Sequence, residues 1–255
     1  MGMKRTVRLM IEKAFDVHVV YRGQVAPVFE KDHLQRFFKH FKVDCVFDVG
    51  ANAGQYAKML RTEVGYQGAI ISFEPIPELA QRLRADAASE RSWFVEELAL
   101  DEQEGQATFN ILAGNQFSSL HTVSSTATGL FKNQTQLSRR IEVRTSTIAI
   151  QLQNYRNKLG FERPFLKMDT QGHDVSVANG ANDQLQQFVG LQSELAVKRL
   201  YDDSPGFEEA LEFYRARGFE LSALVPNNFG HFPRLLEIDC IMFRKDLEPG
   251  SKPAH

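Results

Sequence analysis

The sequence has little of several features that would assign it to other classes of protein. It has two cysteines in 255 residues, too few for a disulfide framework, and its formal net charge of −2 lacks the basic excess of most nucleic-acid-binding proteins. No apolar run is long enough to span a membrane, and Glu12, Lys13 and Asp16 interrupt the apolar residues behind the basic N-terminus. We therefore expect a cytoplasmic protein with no nucleic-acid partner and no membrane span, in which Cys45 and Cys240 are buried, reduced thiols.

The alternation of strand-like and helix-like segments predicts an α/β fold. A chain of 255 residues is long enough for one such domain with a large core. Strands are expected near 43–49, 68–73, 93–97, 163–169, 188–195, 219–224 and 238–243, with helices near 53–63, 77–88, 174–180 and 206–217. This order predicts a mainly parallel, seven-stranded sheet covered by helices on both faces.

The ends of the chain differ from this central part. Residues 1–42 are expected to form a helical leader, followed by the main domain at 43–246 and a disordered tail at 247–255. Four apolar residues of the leader recur at helix spacing, namely Leu34, Phe37, Phe38 and Phe41. This stripe predicts a helix that packs against the sheet.

One long polar segment interrupts the alternation. Extra β structure is expected from Ala107 to Leu112 and from Arg140 to Thr147, and Ala113 to Gln136 lies between them. This segment follows the third strand, so it can reach the carboxyl ends of the sheet, where ligands bind in open α/β folds. Both a lid or acceptor-binding loop and a plain surface loop fit its composition.

A strand, a glycine turn, a helix and a second strand ending in a carboxylate follow one another between residues 46 and 74. Gly50 lets the chain turn sharply after the first strand, and Gly54 lets the helix approach both the sheet and a ligand. The first amides of that helix point at any negative charge placed there. Glu74 ends the second strand, where a carboxylate accepts hydrogen bonds from both hydroxyls of a ribose. The unit predicts a site for a ribose-containing cofactor.

Asp48 and Asn52 indicate which cofactor this is. The turn reads D-x-G-x-N-x-G from Asp48 and lacks the second glycine of the dinucleotide fingerprint. The carboxylate of Asp48 would repel the pyrophosphate of a dinucleotide. S-adenosylmethionine has no phosphate; Asp48 suits its amino-acid end, directly or through water, and the amides around Asn52, Gln55 and Tyr56 suit its carboxylate. We therefore expect S-adenosylmethionine, with a capping role for Asp48 as the alternative.

These and later residues resemble the FkbM-type methyltransferases. The likeness is carried by residues 47–54, 73–75, 99–100 with Gly105, 118–120, 165–174, 192–195 and 237–243, in the family order. The K-x-D-x-x-G-H stretch from Lys167 to His173 is the most specific part. The resemblance implies a class I methyltransferase Rossmann-like fold whose last strand is antiparallel to its neighbours. It also implies O-methylation of a hydroxyl on a sugar, a polyketide-like molecule or a related secondary metabolite.

The sequence departs from the family at one place. Relatives usually carry a Leu-Asp pair after a threonine-rich strand, whereas Thr145 to Ala149 contains no acidic residue. If that carboxylate helps to hold the acceptor in relatives, the choice of acceptor differs here.

Asp169, His173 and Glu194 are the predicted catalytic residues. Each follows or ends a main strand, so we expect them to form one polar cluster at the same edge of the sheet. His173 suits the base that removes the proton of an acceptor hydroxyl, because an imidazole titrates near neutral pH, and Asp169 would orient the ring or take the proton itself. The alternative for His173 is a neutral histidine that caps the helix or bonds to the backbone, and the alternative for Asp169 is a purely structural carboxylate at the strand end.

Two further ligand roles are open at this stage. The same three residues suit a hard cation such as Mg²⁺ that would bind a diol acceptor, although the sequence has no dedicated metal-ligand spacing. Lys167 is expected to pair with Asp169 or Glu194. For the adenine ring, the turn after the third strand is expected to supply Leu98 and Ala99, whereas Glu97 is more simply solvated.

The sequence therefore predicts an S-adenosylmethionine-dependent O-methyltransferase. A non-catalytic scaffold or sensor that retains the fold is the main alternative, and an NAD-dependent oxidoreductase on a similar sheet is the second. The acceptor and the oligomeric state have no readable signature.

Overall fold

The structure is a computed structural model that describes residues 14–15, 25–114, 118–121, 123–124, 131, 135–226 and 233–248. Its ten strands are β1 Cys45–Val49, β2 Ala69–Phe73, β3 Trp93–Glu96, β4 Ala99–Leu100, β5 Gly105–Leu112, β6 Leu137–Ser146, β7 Pro164–Met168, β8 Gly190–Ala196, β9 Phe219–Pro226 and β10 Glu237–Arg244. Its α-helices are α1 Val25–Phe41, α2 Gln55–Met59, α3 Pro77–Ala87, α4 Ile148–Leu159, α5 Asp174–Asn179 and α6 Phe207–Ala216.

The strands form two sheets. The main sheet has the order β3-β2-β1-β7-β8-β10-β9, in which β1 lies between β2 and β7. The first five strands of this order pair in parallel, whereas β10 is antiparallel to both β8 and β9. The predicted parallel sheet and its antiparallel last strand are thus confirmed. A second sheet of order β4-β6-β5 contains the two extra β segments that the sequence predicted.

Each face of the main sheet is covered by a separate apolar core. Phe47, Ile71 and Leu166 point to the side of α4, α5 and α6. Val46 and Phe165 point to the opposite side, where α1, α2 and α3 lie. Neighbouring residues of each strand therefore serve opposite cores, as expected for a parallel sheet that is buried on both faces.

Helix α1 belongs to the second of these cores. The predicted apolar stripe of the leader is buried, and the rings of Phe37 and Phe38 lie 5.4 and 5.0 Å from the ring of Phe165. The predicted packing on the sheet is confirmed, while the division of the chain at residue 42 remains a prediction. Residues 1–13 and 16–24, with positions 249–255 of the predicted tail, lie outside the described residues.

The sequence prediction missed α4, which connects β6 to β7. Ile148, Leu152 and Tyr155 form its buried face at helix spacing. The hydroxyl oxygen of Thr147 accepts a hydrogen bond from the amide of Ile150, and Gly160 ends the helix in a left-handed conformation. These start and stop signals are present in the sequence, but the extra strand was expected to run through Thr147.

The other boundaries agree to within a few residues, with one local difference. The helix expected at 53–63 is α2 followed by a π-helical turn, Leu60–Val64, which ends at Gly65. Both cysteines are buried and unpaired, as predicted. Within the described ranges, none of the helices has the length and apolarity needed to cross a membrane.

Candidate active site

A cavity of about 620 Å³ lies at the carboxyl ends of the parallel strands. Gly50 and Glu74, which follow β1 and β2, form one part of its wall. Asp169, which follows β7, and Glu194 of β8 form another part. The position matches the ligand crevice of open α/β sheets, where strand order reverses.

The two glycines of the turn have different functions. Gly50 has φ +76°, and a Cβ atom there would lie 2.0 Å from the carbonyl oxygen of Asp169, so only glycine fits between β1 and the end of β7. Gly54 has φ +78°, and a Cβ atom there would lie 2.7 Å from Leu83 and 3.3 Å from Trp93. Gly50 lines the cavity. Gly54 allows close packing of α2 beside α3 and β3, as predicted for the approach of the helix to the sheet, whereas its approach to a ligand stays a prediction.

The amides of the turn are mostly occupied within the protein. The amide of Asn52 donates to Glu74 Oε2 over 2.8 Å, and that of Ala53 donates to Gln55 Oε1 over 3.0 Å. The amide of Gly54 donates to the carbonyl of Ala51. The amides of residues 52–54 are therefore not available to bind an anion. Of the range predicted for this role, only the first amides of α2, beginning at Gln55, point outward without a partner in the helix.

Glu74 is held by two backbone amides. Besides Asn52, the amide of Ile76 donates to Glu74 Oε1 over 2.9 Å. Burial raises the pKa of Glu74 to about 7, although these two hydrogen bonds oppose the rise. Each carboxylate oxygen has a second lone pair to offer, and the side chain lines the cavity. The predicted position of Glu74 at the cavity wall is thus observed.

The structure corrects the predicted position of Asp48. Its side chain is fully buried behind the cavity wall, where Oδ2 accepts a hydrogen bond from Ser72 over 3.0 Å. Trp93 Nε1 in turn donates to Ser72. On the other side, the ammonium group of Lys167 lies 3.6 Å from Asp48 Oδ1. Asp48 is therefore not part of the cavity lining, because neighbouring residues of a strand point to opposite faces and Asp48 points to the face under α1 and α2.

The residues Trp93, Ser72, Asp48 and Lys167 form a buried polar row across the sheet. Ser72 and Lys167 are the register partners of Asp48 on β2 and β7. Lys167 also lies 3.4 Å from Asp169 Oδ2. Burial alone would lower the pKa of Lys167, but the carboxylates of Asp169 and Asp48 outweigh it and raise the pKa, so the side chain stays charged. Of the two predicted partners, Asp169 is observed.

The cavity carries many carboxyl groups. Burial, aided by neighbouring carboxylates, raises the pKa of five lining residues, namely Glu30, Glu74, Glu194, Glu237 and Asp239, and also that of Asp48 and Asp174, which lie outside the lining. For Glu237, as for Glu74, the pKa rises to about 7. The native protein therefore binds more protons between pH 4.5 and 7 than the unfolded chain does.

We expect the ligand-free protein to be more stable at pH 6 than at pH 8. A raised carboxyl pKa gives stability that is lost as the pH rises towards the folded value, so Glu74 alone contributes about 1 kcal/mol to this difference. His121, whose pKa is lowered by burial and by His173, acts in the opposite direction below pH 6.5. Urea denaturation at both pH values measures the effect, and Glu74→Gln should reduce it. Higher stability at pH 8 would contradict this prediction.

Gln171 joins Asp169 to Glu194. Its Nε2 donates to Asp169 Oδ1 over 2.9 Å and to Glu194 Oε2 over 3.1 Å, while its Oε1 accepts a hydrogen bond from Tyr201 over 2.7 Å. All three members of the Asp169–Gln171–Glu194 group line the cavity. Two of the predicted catalytic residues are therefore brought together, through a residue that the sequence prediction did not single out.

His173 has other partners than predicted. Its Nε2 lies 2.9 Å from Asp101 Oδ1, and its Nδ1 lies 3.0 Å from Nε2 of His121. The ring lines the cavity but is buried, and Asp101 rather than Asp169 orients it. The hydrogen bond from His173 is the largest of the causes that lower the pKa of Asp101. All three predicted catalytic residues nevertheless line one cavity, and their catalytic roles stay a prediction.

The pairing with His121 fixes part of the long polar segment. Ser119 Oγ donates to the carbonyls of Thr170 and Gln171, and Val123 forms a bridge with Tyr201. This part of Ala113 to Gln136 therefore lies beside the cavity. Positions 115–117, 122, 125–130 and 132–134 of the predicted lid lie outside the described residues.

The remaining predicted contacts divide between cavity and surface. Leu98 and Ala99 line the cavity near Ile76, as expected for an adenine pocket, and Glu97 forms a surface ion pair with Arg84. Among the described residues, no group of three or more histidine, cysteine, aspartate or glutamate side chains is arranged to hold a metal ion. The predicted Mg²⁺ ligand set is therefore not assembled.

Residues far apart in sequence complete the cavity. Gln192 Nε2 donates to Glu30 of α1, and Tyr56 donates to Gln192 Oε1. Asp239, the register partner of Glu194, also lines the wall. Asp239 and Gln192 lie in segments that carry the family resemblance, so the sequence could have indicated their place in the site. Glu30 lies outside these segments, and nothing in the sequence indicated its place there.

The sheet order, the antiparallel last strand, the glycine turn after β1 and the carboxylate after β2 define a class I methyltransferase. The sequence matches the Methyltransferase FkbM domain over residues 48–221. The chain therefore belongs to the FkbM methyltransferase family, which confirms the resemblance. No curated protein matches the sequence.

Solved structures give weaker likenesses. An FkbM methyltransferase from Methylobacillus flagellatus is 12% identical with a TM-score of 0.46, and the match covers 79% of this chain and 43% of that one. An O-methyltransferase from Bacillus cereus in complex with SAH is 9% identical with a TM-score of 0.47, covering 93% and 97%. A magnesium protoporphyrin IX methyltransferase from Synechocystis with bound SAM is 11% identical with a TM-score of 0.45, covering 96% and 98%. The family assignment rests on the sequence match alone.

Proposed function

We propose that this family member is a cytoplasmic, S-adenosylmethionine-dependent O-methyltransferase that acts on a hydroxyl group of a sugar or secondary metabolite. The observation that carries the proposal is Glu74, a buried carboxylate at the end of β2 that two backbone amides hold towards the cavity. A ribose diol matches the outward lone pairs of such a carboxylate. The first amides of α2, at Gln55 and Tyr56, suit the carboxylate of the methionine part.

The residues of the cavity fit the cofactor in three places. Glu74 would hold the ribose, Leu98 and Ala99 with their apolar neighbours would hold the adenine, and Gly50 leaves room for the chain of the methionine part beside Asp169. S-adenosylmethionine, when bound, would supply a methyl group attached to a positively charged sulfur. The acceptor oxygen would bond to the methyl carbon while the carbon–sulfur bond breaks, and the electron pair of that bond would stay on sulfur.

Asp169 is the residue that we propose as the base. Its side chain is 41% exposed, next to Lys167, and it accepts the proton that the acceptor hydroxyl loses. Glu194 has the opposite character, because burial and the charge of Asp169 raise its pKa well above the usual range. Glu194 therefore holds a proton and donates a hydrogen bond to the acceptor. Pairs of carboxyl groups in which one is protonated and the other is ionised are common in general acid–base catalysis.

The charge of the cavity agrees with a hydroxylated acceptor rather than an anionic one. Glu30, Glu237 and Asp239 line the acceptor side together with Glu194. Carboxyl groups exchange hydrogen bonds with hydroxyls but repel phosphate groups, which also argues against a nucleic-acid acceptor. His173, which is held by Asp101, anchors His121 beside this wall.

Calorimetric titration with S-adenosylmethionine, S-adenosylhomocysteine and NAD⁺ tests the proposal. We expect micromolar binding of the first two, and Glu74→Ala should weaken both about 10- to 100-fold, because hydrogen bonds to a charged group are lost. Glu63→Ala, which removes an exposed surface glutamate, is the matched control. Hydroxylated acceptors are then screened with methyl-labelled cofactor. Binding of NAD⁺ alone would favour an oxidoreductase, and binding of none would favour a scaffold.

A further inference from the structure

Gln171 has a position that neither the cofactor nor the acceptor explains. It follows Asp169 by two residues, directly before Gly172, and its backbone is left-handed with φ +56°. Non-glycine residues adopt this conformation at a cost in energy, and such residues cluster at functional sites. Its carbonyl oxygen accepts a hydrogen bond from Ser119, so the backbone is held from outside the turn.

The three hydrogen bonds of the Gln171 side chain have only one consistent orientation. The carboxylate of Asp169 has no proton and only accepts hydrogen bonds, so the amide nitrogen of Gln171 faces Asp169. The same nitrogen donates to Glu194 Oε2, and the amide oxygen faces the hydroxyl of Tyr201. Both hydrogens of the amide are then used, one for each carboxyl group. The amide thus fills the space in which Asp169 and Glu194 would otherwise approach each other.

Two carboxyl groups that approach each other share one proton, as in the aspartic proteases. We propose that Gln171 is the positioning residue of this site: its amide keeps Asp169 and Glu194 from sharing a proton, so that Asp169 remains the base and Glu194 the hydrogen-bond donor. The inference rests on the proposed function for its catalytic meaning, but the separation of the two carboxyl groups is testable without any ligand.

Other titratable groups face this pair from the neighbouring elements, and all of them are retained in the variants. They are Lys167 on β7, Asp174 on α5, Glu237 and Asp239 on β10, Glu30 on α1 and Tyr201 before α6. Because these groups are retained, a difference between wild type and a variant that removes the Gln171 amide without adding charge reports on the loss of that amide.

The direct test is a pH titration of the Glu194 carboxyl carbon by ¹³C NMR in the ligand-free protein, with Glu194→Gln for assignment. In Gln171→Leu, which removes the amide without adding charge, the Glu194 midpoint should rise by at least about one pH unit. Gln171→Glu has the same shape and should raise it as well. Gln67→Glu adds the same charge at an exposed position and should leave it unchanged. Either Gln171 variant suffices if the other does not fold.

Turnover provides the second readout once an acceptor is found. At pH 7, kcat of both Gln171 variants should fall at least about tenfold, with KM for S-adenosylmethionine within about twofold and partial recovery of kcat at higher pH. An unchanged Glu194 midpoint, or equal losses of kcat at all pH values, would overturn the proposal. Failure of the wild type to bind S-adenosylmethionine would instead overturn the proposed function, since the NMR titration does not depend on it.

Discussion

Asp169→Asn is expected to lower turnover at least about 100-fold while the affinity for S-adenosylhomocysteine changes less than about threefold. Asparagine has the shape of aspartate but takes no proton, so the acceptor hydroxyl would lose its base. In the wild type, Gln171 and Lys167 donate hydrogen bonds to the two carboxylate oxygens of Asp169. In the variant, the NH₂ group of the asparagine would face one of these donors. Steady-state kinetics with the identified acceptor, alongside calorimetry, separates the two effects.

Two further variants make this experiment decisive. Asp183→Asn changes an exposed aspartate in the same way and should leave turnover unaltered. His173→Ala should mainly lower thermal stability, because it removes the partner of Asp101 and His121. If His173→Ala abolished turnover at unchanged stability and Asp169→Asn kept it, the base would be His173.

Lys167→Met should destabilise the protein by about 3–5 kcal/mol at pH 8. Its ammonium group is the cation next to Asp48, whose carboxylate is fully buried and whose Oδ1 has no hydrogen bond within the described structure. Without the ammonium, Asp48 must stay buried as an uncompensated charge or take up a proton. The loss should therefore be smaller at pH 6, where uptake is easier, and urea denaturation at both pH values measures it.

The double variant Lys167→Met/Asp48→Asn identifies the cause. Removal of both charges should restore more than half of the lost stability, because the cost lies in the unpaired charge rather than in the missing side chain. Lys31→Met breaks an exposed ion pair with Glu63 and should cost less than about 1 kcal/mol. If the double variant were as unstable as the sum of the single variants, Lys167 would stabilise the fold through packing alone.

The sequence predicted the parts of the fold and site that depend on neighbouring residues. The strand-turn-helix around Gly50 and the carboxylate after β2 are local patterns, and the structure contains both where they were expected. The apolar stripe of α1 was likewise sufficient to predict its packing. The helix α4 was missed although Thr147 and Gly160 mark its ends, because the preceding strand was expected to run through Thr147.

The sequence did not predict which side chains meet across the sheet. The position of Asp48 depends on the face to which it points, and a shift of one residue would reverse that face. The partners of His173 are Asp101 and His121, which lie 72 and 52 residues away in the chain. Such contacts follow from the three-dimensional course of the strands and loops, and no spacing rule in a single sequence specifies them.

The packing of α1 has a consequence for the synthesis of the protein. This helix is made early, but Phe165 and Ile241, which belong to the core that buries it, are made much later. At about 5–20 residues per second, the ribosome needs roughly 10–40 s to proceed from Phe41 to Ile241. During this time the four apolar side chains of α1 lack their final cover, so the nascent chain is a natural client for chaperones. Glu30 of the same helix lines the cavity together with Asp239 of β10, so this wall also combines an early and a late part of the chain.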